Sequence, residues 1–292
     1  MGFDSKWAER AVTPDEVMAH VLDGQRMFVH GAAATPSPLV EALVARSDLV
    51  DVHAYHLHLG GPPLLGVKAT DRIRSHAFFV DAGMRRAVAE GRADFIPVFL
   101  SDIPRLFKSG RIPLDVAVVQ LSPPDAHGVC TLGTSCDTAR AAVDSARIVL
   151  AEINERMPRS HGHTAVPLSR VTAYCHTDRP LPQAQPGKPT DVEARIGDLV
   201  AGLVEDGATL QLGIGAIPDA VLARLGNKLE LGVHTEMFSD GLIPLIEAGV
   251  VTNTRKEVHR GRTVASFVTG SQRVLDYLPD NLQVEPHPCD RT

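Results

Sequence analysis

Hydrophobic and polar positions along this chain follow one pattern twice. The first copy runs from Val17 to Val44 (VMAHVLDGQRMFVHGAAATPSPLVEALV), the second from Gly197 to Leu225 (GDLVAGLVEDGATLQLGIGAIPDAVLARL). Each begins with apolar residues at helical spacing and passes an Asp-Gly turn, Asp23-Gly24 or Asp206-Gly207. A short apolar strand, a loop of Gly and Ala, and a Pro opening a second helix follow. Each copy then runs into another strand, Asp51 to Leu59 and Leu231 to Met237. The duplication predicts two related α/β units facing one another. Their small-residue loops and polar strand ends should meet at a crevice, where open α/β sheets bind ligands.

Strand and helix patterns alternate throughout, which predicts open, mostly parallel sheets. Strands are expected near Arg26–His30, Val50–His58, Phe78–Val80, Phe95–Val98, Val116–Leu121 and Arg170–His176. Helices are expected near Thr13–Leu22, Ser37–Ala45, Gly83–Glu90, Ile103–Ser109 and Thr138–Glu152. The segment Asp178 to Asp191 (DRPLPQAQPGKPTD) holds four prolines and no apolar period, so it reads as an extended linker. The expected organisation is a first α/β domain over residues 1–180, a linker at 181–190, and a second α/β domain over 191–292. That second domain opens with a helix at Val192–Val204 and is expected to be incomplete, because QVEPHPCDRT at the end offers no clear strand or helix.

Composition narrows the function. The 292 residues are 44% hydrophobic and 22% charged, with a formal net charge of −6. No basic run stands out, so nucleic acid is not an expected partner. No apolar stretch approaches the ~20 residues that span a bilayer. MGFDSKWAERAVTPDE is acidic and lacks the apolar core of a signal peptide, and Lys6 spoils its loose fit to a myristoylation pattern. Cys130, Cys136, Cys175 and Cys289 lack zinc or CxxC spacing and read as reduced thiols of a cytoplasmic protein.

Candidate chemistry concentrates in the second copy. GIGAIP (Gly213 to Pro218) lies between a strand and a helix, and Gly213 and Gly215 permit close approach of a ligand. Backbone N–H groups there could bind a phosphate or a developing oxyanion, or the loop could be a tight packing turn. In the first copy, Thr35 or Ser37 of GAAATPSP reads chiefly as a helix cap. Glu236 ends the strand of GVHTEMFSDG and would project from the carboxyl edge of the sheet. A carboxylate there can act as nucleophile or base, although a solvated loop Glu is the commoner outcome. His56 and His58 should share one face of a strand, with His53 on the other. They fit a polar lining of the crevice better than a metal site, since no third ligand is evident. Asp125 and His127 in SPPDAHG could touch a ligand or simply form the turn.

SPPDAHGVCTLGTS, GIGAIPDAVLARL and HTEMFSDGLIPLIEAGVVT together resemble the acetyl-CoA hydrolase/transferase family, which includes 4-hydroxybutyrate and acetate CoA-transferases. GAAATPSPLVEAL, YHLHLGGP and ADFIPVFLSDIP add to the likeness, which extends from about Arg26 to the last residue. It implies two open domains of the CoA-transferase type, homo-oligomeric assembly, and a glutamate nucleophile at Glu236. It also implies a thioester and oxyanion environment at Gly213, Gly215 and Ala216. The activity it implies is ping-pong movement of CoA from an acyl-CoA to a small carboxylic acid through a glutamyl-CoA thioester, with acyl-CoA hydrolysis as an alternative. CoA would be a substrate carrier, with no metal or redox cofactor. Family members continue into a glycine-rich GGxxDF-type segment that is absent here, so a CoA-binding or oligomerisation fragment without activity is a further alternative.

Overall fold

A computed structural model describes residues 6–67, 72–184 and 187–292. Met1 to Ser5 at the expected leaderless start, and Gln185 and Pro186 in the expected linker, lie outside the described residues.

Thirteen strands are formed among the described residues. In chain order they are β1 Arg26–Val29, β2 Val52–His56, β3 Ile73–Ala77, β4 Ala93–Phe95, β5 Val116–Leu121, β6 Val129–Thr131 and β7 Ile148–Asn154. Then follow β8 Ala165–Pro167, β9 Ala173–Thr177, β10 Thr209–Leu210, β11 Gly232–Phe238, β12 Thr263–Val268 and β13 Val284–Pro286. One sheet has the order β4-β3-β2-β1-β5-β7-β9 and a second the order β10-β11-β12-β13. Every pairing in both is parallel, whereas β6 and β8 form a separate antiparallel pair.

The central strands are near-continuous apolar runs because both faces are covered. Alternation sorts their side chains. Phe28, Ala117, Val119 and Ala151 pack into one core, and Met27, Val29, Val116, Val118 and Leu150 into the core on the opposite face. A third core fills the second sheet around Val233, Phe238, Ile243, Ala265 and Val284.

The duplication in the sequence is a duplication in the structure, down to single bonds. Thr13–Glu16 and Thr190–Glu193 form the same capping box at the start of the helices Pro14–Met18 and Asp191–Leu203. The turn carboxylates Asp23 and Asp206 each accept a backbone N–H just ahead of the next strand, from Val50 and Leu229 at 2.8 Å. The glycines beside them donate to the carbonyls of the same two residues.

Four expectations need correction. Thr138–Glu152 is a helix only over Ala139–Ser145, and β7 follows it. The run around ARIVLAEI is apolar at both helix and strand periods, and burial between β5 and β9 decides for a strand. The expected strand at Phe78–Val80 lies earlier, at β3, where Arg74, Ser75 and His76 hide the pattern. The one at Phe95–Val98 lies at β4. The final segment does contain a strand, β13, which pairs with β12.

The two sheets are pinned by a loop of the first. β13 pairs with β12 only as far as Ala265. Beyond that point, Cys136 and Asp137 donate their N–H groups to Ser266 O (3.0 and 3.1 Å), and Val268 N donates to Thr134 O at 2.7 Å. The loop Leu132–Thr138 thereby satisfies a strand edge that its own sheet leaves open.

Candidate functional site

The crevice is built where the paired loops meet. Ala32 of the first loop packs against Met237 and Phe267 of the second sheet. Ala32 holds φ 51°, a left-handed backbone that costs a non-glycine residue about 1–2 kcal/mol. Its N–H donates to His58 O at 2.8 Å, and a Cβ on Gly31 would come within 2.5 Å of the same oxygen. Only glycine fits there. A buried polar set fixes the loop from below. Gln120 Nε2 and Arg179 Nη2 both donate to Thr35 O at 2.9 Å. Arg179 also forks onto Glu152 at 2.6 and 2.8 Å, and Asn154 donates to Gln120 at 2.9 Å.

The second loop, Gly213 to Pro218, is tied to the strand that carries Glu236. Thr235 Oγ1 accepts from Leu212 N at 2.8 Å and donates to Leu212 O at 3.0 Å. Gly215 caps the helix Ala216–Leu222 with φ 127°, a conformation that side chains rarely adopt. Ile214, Gly215, Ala216, Met237, Ser239 and Thr269 line a cleft of about 200 Å³ beside it. Among the described residues no acceptor receives the N–H groups of Gly213 or Ile214.

Glu236 lies two residues before the end of β11, partly buried, next in sequence to Met237 of that cleft. No hydrogen-bond donor among the described residues reaches its carboxylate. Burial raises its pKa above the ordinary glutamate value, and the carboxylate of Asp137 raises it further. The environment thus differs from that of the solvated loop Glu that is the commoner outcome. Asp137 itself is buried.

The remaining expected residues divide. His58 is at the junction, its ring 5.0 Å from that of Phe267. His56 is not: it is fully buried within the first sheet, bonded to Ser75 Oγ at 2.6 Å, and burial pushes its pKa down to about 4. The strand stops at His56, so the alternation that paired the two histidines does not carry on to His58. Asp125 and His127 are also absent from the crevice. Asp125 Oδ1 accepts the N–H groups of His127 and Val129 (both 2.9 Å), and Oδ2 accepts Arg159 Nη2 at 2.7 Å. These bonds build the turn. His127 borders a larger cavity of about 770 Å³ on the outer flank, lined also by Arg10, His20 and Ser169 and by no residue of the Gly213 turn. That cavity is bigger, but its carboxylate, Glu16, is engaged in the capping box, where Oε2 accepts from Thr13 N at 2.9 Å and Thr13 Oγ1 at 2.8 Å.

Other chemistry can be weighed directly. Burial pushes the Cys130 and Cys175 thiols up to about 12, which removes them as nucleophiles at neutral pH. His259, Glu285 and His287 offer ligand-type atoms within 4.8 Å of one another. Glu285 already pairs with Arg262 at 3.4 Å and lies in the field of Lys256, so its charge is balanced without a metal.

Comparison with known proteins places this arrangement. Residues 1–184 match the model of the acetyl-CoA hydrolase/transferase N-terminal domain. The chain is 40% identical over 292 residues to the 4-hydroxybutyrate coenzyme A transferase of Clostridium kluyveri, covering 99% of this chain and 68% of that protein. The chain belongs to the acetyl-CoA hydrolase/transferase family. A second relative is the succinyl-CoA:acetate/propanoyl-CoA:succinate CoA transferase of Fasciola hepatica, 43% identical over 98% of this chain and 59% of that protein. The crystal structure of RipA from Yersinia pestis superimposes with a TM-score of 0.90 at 32% identity, covering 97% of this chain and 68% of that one. The chain therefore spans about six- to seven-tenths of the length of these family members. No described helix is long and apolar enough to cross a membrane.

Sequence reasoning missed Asp137 and Thr235. Nothing in GTSCDT or HTEM marks either as special, because both act through contacts between segments 23 to about 100 residues apart.

Proposed function

We propose that this chain carries the nucleophile and oxyanion turn of a CoA-transferase that moves CoA between an acyl-CoA and a small carboxylic acid. The observation that carries this reading is Glu236: a partly buried carboxylate with no donor bonded to it among the described residues, on the strand that Thr235 ties to Leu212 at the start of the Gly213–Ala216 turn.

In the proposed reaction, a Glu236 carboxylate oxygen attacks the thioester carbonyl carbon. The new C–O bond forms a tetrahedral oxyanion, the C–S bond then breaks, and its electron pair leaves on the CoA sulfur. The products are an acyl-glutamyl anhydride and CoA thiolate. The thiolate attacks the glutamyl carbonyl and expels the first carboxylate, leaving a glutamyl-CoA thioester. An incoming carboxylate repeats the sequence in reverse. Each tetrahedral state puts charge on an oxygen, and one backbone donor aimed at it is worth about 2.7–4 kcal/mol. The N–H groups of Gly213, Gly215 and Ala216 are the donors assigned here, and His58 is assigned to the opposite wall.

CoA serves as a carrier, with no further cofactor in this scheme. The assembly is read as a homo-oligomer, as the family resemblance implies. A cytoplasmic setting accords with four free cysteines. Acyl-CoA consumption measured with and without added acetate tests the reading. Transfer predicts consumption that requires the acid and vanishes in Glu236→Gln. Consumption that ignores the acid points to hydrolysis instead.

A further inference from the structure

Asp137 is a buried acid carried by a loop that bonds to the strand beside the proposed nucleophile, and the backbone shows how it gets there. The loop Leu132–Thr138 reaches across to β12, bridging Ser135 to Phe267, and Asp137 N donates to Ser266 O at 3.1 Å. In the β11–β12 ladder Thr235 pairs with Ala265 and Met237 with Phe267. Glu236 therefore lies level with Ser266, the residue that holds Asp137. Cys289 N donates back to Asp137 O at 3.2 Å and closes the other side.

The side chain is fixed as firmly as the backbone. Asp137 Oδ1 accepts from Ala139 N at 3.0 Å and from Thr138 N, and Oδ2 accepts from Ser135 Oγ at 2.7 Å. Ser135 is held in turn, its carbonyl bonded to His30 Nε2 at 2.7 Å. The ionisable groups that feel Asp137 are His30 and His58 from the first sheet, Glu236 from the second, and the thiols of Cys136 and Cys289. Only Glu236 among them is a carboxylic acid.

We propose that Asp137 is a positioning residue for Glu236: a fixed second carboxylate, locked level with it on the β12 edge, that repels the nucleophile's charge and drives it onto the thioester. The inference rests on the reading of Glu236 as nucleophile. Attack carries negative charge away from Glu236, first to the carbonyl oxygen and then to the departing sulfur. Repulsion from Asp137 is strongest before that movement and weakens along it. Such a term raises the ground state more than the transition state, which increases kcat. It also explains why an acid with its own satisfied bonds is buried where its field reaches a second acid, an arrangement that costs stability.

The test uses the chain labelled with ¹³Cδ-glutamate, in wild type, Asp137→Asn and Glu236→Gln. The Glu236 resonance is the one missing from Glu236→Gln. Asn keeps the size of Asp and an acceptor for the Thr138 and Ala139 N–H groups. In wild type, Glu236 should titrate above the ordinary glutamate value of about 4.3. In Asp137→Asn the midpoint should move to lower pH. The half-maximal pH for adduct formation with acyl-CoA should follow it, and the plateau rate should fall on the order of tenfold. A purely structural Asp137 would lower the folded fraction and leave the midpoint where it was. An unchanged midpoint in a folded Asp137→Asn overturns the proposal while leaving Glu236 as nucleophile. If that variant does not fold, Asp137→Ser, which keeps an oxygen for the helix N-terminus, carries the same test, and a midpoint unchanged there overturns the proposal. A wild-type chain acylated at another carboxylate overturns both readings together.

Discussion

Replacing Thr235 with Val removes a hydroxyl that ties the Gly213 turn to the Glu236 strand. The two side chains have nearly the same shape, so no cavity opens and strand propensity is kept. What is lost is the pair of bonds to Leu212, at 2.8 and 3.0 Å, from a fully buried side chain. The two losses are unequal. Leu212 O retains a contact from Gln211 Nε2 at 3.3 Å, while Leu212 N–H is left with no acceptor. One stranded buried donor costs about 1–3 kcal/mol, so the expected destabilisation is about 2 kcal/mol and not twice that. The midpoint of thermal unfolding should fall by about 4–8 °C. Urea denaturation is the cleaner assay, with a lower midpoint at unchanged slope. Thr235→Ser is the control, since it keeps the hydroxyl. Transfer activity should fall further than stability does, because a misplacement of about 1 Å can cost on the order of a hundredfold. A Val variant within about 0.5 kcal/mol of wild type, the range of an ordinary surface change, would refute the reasoning. So would a Ser variant as damaged as the Val variant.

Glu236→Gln should abolish transfer and yet raise stability at neutral pH. A carboxylic acid with a raised folded pKa binds its proton more tightly folded than unfolded, so its charge costs stability above the ordinary glutamate pKa. That cost disappears as pH falls through the folded value, and melting curves of the two proteins should converge in acid. His56 behaves in the opposite way. Its pKa drops from 6.5 to about 4 on folding, so the native chain resists a proton that the unfolded chain accepts. Stability should be complete above pH 6.5 and fall by about 3 kcal/mol as pH drops to about 4. His56→Gln, which can still bond Ser75, should flatten that slope in equilibrium unfolding. Arg179→Met should destabilise by about 3–5 kcal/mol, because it strands the buried Glu152 carboxylate. Adding Glu152→Met should restore much of the loss in a double-mutant cycle.

The fold was legible in the sequence wherever one period dominated. The two Asp-Gly turns, the Gly/Ala loops and the run Val116–Leu121 each carry a local signal, and each appears in the structure where it was expected. The misreadings have a common physical cause. β3 mixes Arg, Ser and His with apolar residues, and β7 is apolar at either period, so only neighbouring strands select their state. The site shows the same division. Gly213, Gly215 and Glu236 could be singled out because glycines between a strand and a helix, and a charge late in an apolar strand, leave a mark in sequence. Asp137, Thr235 and the buried set Gln120, Glu152 and Asn154 were not, since their roles come from partners far along the chain. His56 was misplaced by a period that holds only while the strand lasts.

The central claim is a covalent bond to one glutamate. Incubating the protein with acyl-CoA, quenching with borohydride or hydroxylamine and mapping peptides by mass spectrometry tests it directly. The account predicts reduction or hydroxamate formation at Glu236, absent in Glu236→Gln. Modification confined to any other carboxylate, or to none while acyl-CoA is turned over, would contradict it.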